Sequence, residues 1–250
     1  MQNAKKHSLI LRISTFHLFF VTLTGLFIQT MEMNIAQLET YIENDQLAEI
    51  ITLLTERPQL AVQTTSHQIS PLLLACYYQK PQIANAIAEF MPELNLFDAC
   101  AVGKFDEVSL LVFKNPHSVN TFSIDGFTPL GLACHFGHEE IARFLILKGA
   151  EVNVASKNGF NVFPIHSAVA VNNFNLTQTL LNAGAYPNVC QKSGVAPLHT
   201  AAQNGNIEII IALLEKGAEV TLRMEGGKLP ADLAAEKGFT EIAEILMPED

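Results

Sequence analysis

Two histidines carry the first suggestion of chemistry in this chain. His135 and His138 flank Gly137, and Glu139 and Glu140 follow directly. Imidazoles and carboxylates can hold a divalent metal, but a zinc-type centre needs further ligands converging at tetrahedral geometry. No additional ligand stands near this pair in the sequence. Glu225-Gly226-Gly227-Lys228 resembles a fragment of a phosphate-binding loop. It lacks the preceding strand and the full spacing of such a loop, and it reads better as a turn. There is no Gly-x-Ser-x-Gly nucleophile elbow. The four cysteines include no Cys-x-x-Cys pair. Cys76, Cys100 and Cys134 sit in matching apolar settings and read as small core residues, whereas Cys190 falls in a loop. No catalytic constellation emerges. A metal-dependent enzyme built on His135 and His138 is the competing reading.

The elements that would position these side chains recur at a fixed period. Pro129, Pro164, Pro197 and Pro230 are separated by 35, 33 and 33 residues. Gly103, Gly137, Asn172, Gly205 and Gly238 follow at spacings of 34, 35, 33 and 33. The pairs Gly149-Ala150, Gly184-Ala185 and Gly217-Ala218 keep the same register. Proline at a first helical position loses nothing, because its missing N–H would be unpaired there. Thr128 can cap the helix that Pro129 opens. Glycine just past a helix takes the left-handed conformation at little steric cost. The pattern is therefore a short helix, a turn and a longer helix, repeated. Ile207, Ile210, Leu213 and Leu214 are expected to form the apolar face of one longer helix. A single unit cannot bury such a face, but stacked units can.

The stretch Gly194–Gly217, GVAPLHTAAQNGNIEIIIALLEKG, resembles an ankyrin repeat, whose signature is Thr-Pro-Leu-His-x-Ala at a 33-residue period. Ser70-Pro71-Leu72, Thr128-Pro129-Leu130 and Pro164-Ile165-His166 carry partial forms of the signature, and Leu96–Gly103 lacks it. The resemblance covers residues 35–247. It implies an all-α ankyrin-repeat solenoid of about seven helix-turn-helix repeats with short β-hairpin or loop fingers. Residues 34–66 read as an N-terminal capping repeat, 67–224 as the ankyrin repeats and 225–250 as a C-terminal capping repeat. The two extra residues between Pro129 and Pro164 are expected around Ser156 to Val162. The resemblance gives His166 and His199 structural roles, bonding within and between turns, and the same for His138.

Composition narrows the function. The chain has 250 residues, 49% of them hydrophobic and 16% charged, with a net charge of −10. That balance opposes a nucleic-acid surface, which needs clustered Lys and Arg. The cysteine pattern fits a reducing compartment. Residues 1–30 differ from the rest: Lys5, Lys6 and Arg12 lead into an apolar run. They open three readings: a secretory signal, a membrane anchor over residues 9–28, or a start assigned too early, with translation beginning at Met31 or Met33.

The resemblance implies a non-catalytic scaffold that binds a protein partner through its concave surface and fingers, with no cofactor and no metal. Carried over by position, the partner-binding residues are Phe122, Asp125, Phe127, His135, Phe136, Asn158, Phe160, Gln191, Gln203, Asn204 and Lys228. The four phenylalanines draw attention because aromatic side chains are enriched at binding hot spots. A cytoplasmic monomer is expected, with a membrane-anchored or exported binder as the alternative.

Overall fold

The computed structural model describes residues 34–248. The segment 1–30, with its signal, anchor and alternative-start readings, lies outside the described residues. The described chain holds fourteen α-helices in seven pairs: α1 (34–43), α2 (Leu47–Glu56), α3 (Pro71–Tyr77), α4 (Pro81–Glu89), α5 (Leu96–Val102), α6 (Phe105–Lys114), α7 (Pro129–His135), α8 (Glu139–Leu147), α9 (Pro164–Ala170), α10 (Phe174–Asn182), α11 (Pro197–Asn204), α12 (Ile207–Glu215), α13 (Pro230–Glu236) and α14 (Thr240–Ile245). Two compact units divide at Met91 and Pro92. The first contains the pairs α1/α2 and α3/α4. The second contains the five pairs from α5 to α14.

Within the larger unit the odd-numbered helices pack in succession, α5 on α7, α7 on α9, α9 on α11 and α11 on α13. The even-numbered helices α6, α8, α10 and α12 form a second row. The first row is lined with small buried residues, among them Ala99, Cys100, Ala133, Cys134, Ala168, Ala201 and Ala234. Small side chains let neighbouring helices approach closely and keep the interior dense. The second row supplies bulk, for example Ile141 and Leu145 from α8 and Leu176 and Leu180 from α10.

Each first helix ends on a left-handed residue: φ is +82° at Gly103, +76° at Gly137, +57° at Asn172, +68° at Gly205 and +83° at Gly238. The amide after it returns to a buried alanine, as in Lys104 N–H to Ala99 O (3.0 Å), His138 N–H to Ala133 O (2.8 Å) and Phe239 N–H to Ala234 O (2.9 Å). That bond closes the helix end and reverses the chain. The smaller unit uses Asp45 (φ +60°) and Gln79 (φ +57°) at the same place, which the glycine pattern did not reveal.

The expected β-hairpin or loop fingers are not formed. No described residue lies in a strand. Four connections are tight turns closed by a backbone bond between their ends, Thr65 N–H to Ile69 O at 2.9 Å, Ser123 N–H to Phe127 O at 2.8 Å, Gln191 N–H to Val195 O at 3.0 Å and Met224 N–H to Lys228 O at 3.0 Å, with a second bond inside each turn. The chain leaves little room for a ladder. The residue after each closing carbonyl is already the N-cap of a helix, and the next is a proline without a donor. Between Ser156 and Val162 the closing bond spans two more residues, at 2.9 Å, where the longer connection was expected. The apolar face of α12 also differs from expectation. Ile209, Ile210, Ala212 and Leu213 are buried, whereas Ile207 is exposed and Leu214 half-buried. In so continuous an apolar run, periodicity alone does not select the inward side.

Consecutive pairs interlock at the reversals. A Cβ on Gly103 would come within 2.6 Å of the His138 imidazole, whose Nε2 donates to Ala101 O at 2.9 Å. A Cβ on Gly149 would meet nothing within 4 Å. Both glycines have positive φ. Gly149→Ala is therefore expected to cost about 1 kcal/mol from backbone conformation alone. Gly103→Ala should cost about 2 kcal/mol or more, because the imidazole must also move. Urea unfolding of the two variants checks this; equal losses would show that the interlock contributes nothing.

Candidate functional site

The surface singled out by the sequence is built from the turns and first helices of the larger unit. Ser123 organises the first turn. Phe127 N–H donates to its Oγ at 3.0 Å, and its hydroxyl lies in hydrogen-bonding contact with Asp125. Phe127 is only 7% exposed and packs beside His135, with ring centroids 5.7 Å apart. His135 meets Phe136 edge-on at 4.9 Å. Burial pushes the His135 pKa down, opposed in part by the carboxylate of Asp125. The fold thus brings Asp125, Phe127, His135 and Phe136 together. Phe122 is half-buried, with the Lys157 ammonium 3.8 Å from its ring centroid, a cation–π contact.

The next turn carries Asn158, which accepts from the Ser156 hydroxyl at 2.7 Å and from Phe160 N–H at 3.2 Å. Phe160 stands outward, 64% exposed. Gln191 is half-buried at its turn, and Gln203 is exposed on α11. Asn204 donates through Nδ2 to Val169 O at 3.2 Å, one pair earlier. Lys228 is exposed and pairs with Glu236 at 2.7 Å. The four phenylalanines are therefore not one cluster: Phe127 is packed inward and Phe160 is isolated at its tip. Ile124, 74% exposed at the tip of the first turn, belongs to this surface and was missed. An isoleucine between a serine and an aspartate carries no periodic signal.

The metal-ligand candidates are dispersed. His138 Nε2 is engaged by Ala101 O, Glu139 pairs with Arg143, and His135 lies among aromatic rings. Among the described residues no group of three or more His, Cys, Asp and Glu is placed to hold a metal. No helix among them is long and apolar enough to cross a membrane. The Glu225–Lys228 segment is a turn in which Gly227 N–H donates to Met224 O at 2.9 Å.

His166 and His199 connect neighbouring turns. His166 Nδ1 accepts from Phe163 N–H at 3.2 Å, which leaves the proton on Nε2. Nε2 points to Val195 O at 3.1 Å and Val189 O at 3.2 Å in the following repeat. His199 accepts from Ala196 N–H at 3.1 Å and points to Lys228 O at 3.3 Å. A second set of connectors was not read from the sequence. Asn120 donates to Gly149 O at 3.0 Å and accepts from Glu151 N–H at 2.9 Å. Asn153 does the same with Gly184 and Tyr186, and Asn188 with Gly217 and Glu219, every bond at 2.9 Å. The recurrence of Val119-Asn120, Val152-Asn153 and Pro187-Asn188 was the available signal.

Burial pushes the His166 pKa down to about 4, against the bonds to Val195 and Val189 that raise it. The side chain is 1% exposed. Between the unfolded value of about 6.5 and the folded one, the unfolded chain takes up a proton that the folded chain refuses. Stability from this group is complete above that window and falls as the pH drops through it, by on the order of 3 kcal/mol. His199 shifts in the same direction. His166→Gln should start less stable at pH 7 but lose less between pH 7 and about 4.5. Urea midpoints at the two pH values decide; parallel losses in both proteins would exclude His166 as the cause.

Comparison with known proteins places this architecture. A family model described as ankyrin repeats in three copies matches residues 72–158, 96–189 and 165–250. Alpha-latrocrustotoxin-Lt1a of Latrodectus tredecimguttatus is 30% identical over 132 residues, covering 50% of this chain and 9% of the toxin. The Saccharomyces cerevisiae protein named "Probable 26S proteasome regulatory subunit p28" is 29% identical over 154 residues, covering 56% of this chain and 66% of the yeast protein. Ankyrin repeat and SAM domain-containing protein 6 of Rattus norvegicus is 34% identical over 67 residues, 27% of this chain and 8% of the rat protein. The matched region thus spans less than two thirds of each of these relatives. With matching models spanning most of its length and the same paired-helix stacking, the chain belongs to the ankyrin repeat family.

Proposed function

We propose that the protein is a non-catalytic scaffold that binds a protein partner through the turns and first helices of its larger unit. The observation that carries this reading is the locking of consecutive turns. Lys157 N–H donates to Gly126 O at 2.7 Å, Lys192 N–H to Phe160 O at 3.0 Å and Glu225 N–H to Ser193 O at 2.9 Å. Side chains at those turns, Ile124 and Phe160 above all, face solvent from a backbone that is already fixed. A surface ordered before binding loses less conformational entropy on association. Asp125, His135, Phe136, Asn158, Gln191, Gln203, Asn204 and Lys228 are the accompanying contact residues, with Phe122 and Phe127 holding the first turn in shape.

The same reading assigns residues 34–66 and 225–250 as the terminal caps of the repeats in 67–224. At the second of these, Asp232 occupies the position of His166 and His199 and accepts from Leu229 N–H at 2.8 Å. We place the protein in the cytoplasm, because Cys76, Cys100 and Cys134 are buried as free thiols, which suits a reducing compartment.

Site-specific photo-crosslinking tests the surface. A photoreactive phenylalanine analogue at Phe160 should yield a discrete adduct in native lysate, and the same group at Glu215 on the outer helix α12 should not. Adducts formed only from position 215 would move the interface to the other side of the repeats.

A further inference from the structure

The charges of the larger unit are sorted by element. Its second helices, α6, α8, α10, α12 and α14, carry eight carboxylates against two cations, Lys114 and Arg143, with Lys104, Lys148 and Lys216 at their caps. The turns reverse this bias. Lys157, Lys192 and Lys228, with Arg223 just before the last turn, stand exposed there, against Asp125 and Glu225; Lys157 lies over the Phe122 ring, Arg223 donates to Gly227 O and Lys228 pairs with Glu236. Asp125 is engaged by Ser123. Lys192 has no ion pair among the described residues. A chain of net charge −10 with only 15 Lys and Arg thus holds four of those cations beside its turns. The two most exposed apolar side chains of the turns, Ile124 and Phe160, lie among them. The turns are in register, since Lys157 is bonded through its backbone to the turn of Ile124 and Lys192 to Phe160 itself.

We infer that this edge takes an acidic, apolar-anchored segment of a partner protein: a short stretch in which carboxylates alternate with large apolar side chains. The inference rests on the scaffold reading and names the chemistry of its partner. Carboxylates of the segment meet Lys157 and Lys192, and its apolar residues cover Ile124 and Phe160. The carboxylate-rich second helices face such a segment with like charge, so the field of the unit guides it to the turns. Basic partners, which the overall charge would suit, are drawn instead to the outer helices.

Fluorescence anisotropy with the full chain and two labelled peptides tests this, one alternating Glu with Phe and Leu, the other alternating Lys with Phe and Leu. The Glu peptide should bind and the Lys peptide should not compete. Lys192→Glu should weaken binding about tenfold, as should Phe160→Ser, and raising the salt from about 0.05 to 0.3 M should weaken it further. Both side chains are exposed, and circular dichroism verifies that each variant stays folded. The double variant Lys157→Glu/Lys192→Glu should abolish detectable binding. Equal binding of both peptides with loss on Phe160→Ser would keep the surface and overturn its preference for acid. Binding unaffected by every variant, or sedimentation with phosphatidylserine vesicles in place of peptide binding, would overturn the inference. In that case the crosslinking at Phe160 still judges the scaffold reading separately.

Discussion

The reversal after each first helix is the constraint on which the rest of the larger unit depends. A left-handed residue lets the next amide return to a buried alanine carbonyl, and the second helix then leaves antiparallel to the first. The reversals are also where neighbouring pairs touch. His138 lies over Gly103, Phe239 over Gly205, and Asn206 donates to Asn172 at 2.9 Å. One backbone conformation therefore fixes the angle within a pair and the spacing between pairs. Small residues on the first helices keep that spacing tight enough for the turns to reach one another through the backbone.

Polar groups buried by this packing are paired almost throughout, as an interior requires. His166 and His199 span from their own helix start to the following turn as neutral imidazoles. At other helix starts the N-cap side chain accepts a bond. The Thr128 hydroxyl accepts from Gly131 N–H at 3.0 Å and that of Ser70 from Leu73 N–H at 3.0 Å, while the Asn95 amide oxygen accepts from Asp98 N–H at 2.9 Å. These side chains take the N–H three residues on, whereas His166 and His199 take the N–H of the N-cap residue itself, so the two devices serve different donors.

The period, the helix starts and the helix ends were legible because proline, glycine and the Gly-Ala pairs each have one narrow backbone use. The same logic located the longer turn at Ser156–Val162. It failed where backbone use was not diagnostic. Asp45 and Gln79 enter the left-handed region without being glycine or asparagine. The inward face of α12 was misplaced because almost every position is apolar. Hairpin fingers were expected from the resemblance, but each turn runs directly into an N-cap and a proline without a donor, which leaves little room for a ladder. At the candidate surface the sequence supplied positions, not orientations. Phe127 closes its turn and is packed inward, whereas Phe160 lies within the longer turn that Val162 closes and is open to solvent.

The asparagine connectors run in one direction. Asn120, Asn153 and Asn188 each reach from their own repeat to backbone groups of the next. Other bonds run the opposite way, from later repeats to backbone carbonyls of earlier ones: Lys157 N–H to Gly126 O, His138 Nε2 to Ala101 O and Asn204 Nδ2 to Val169 O. Removing repeats from the N-terminal side leaves the exposed N–H of Glu151 and C=O of Gly149, or their counterparts, to water. Neighbouring repeats are thus stitched in both directions, and shortening the array from either end breaks bonds to the repeat that remains.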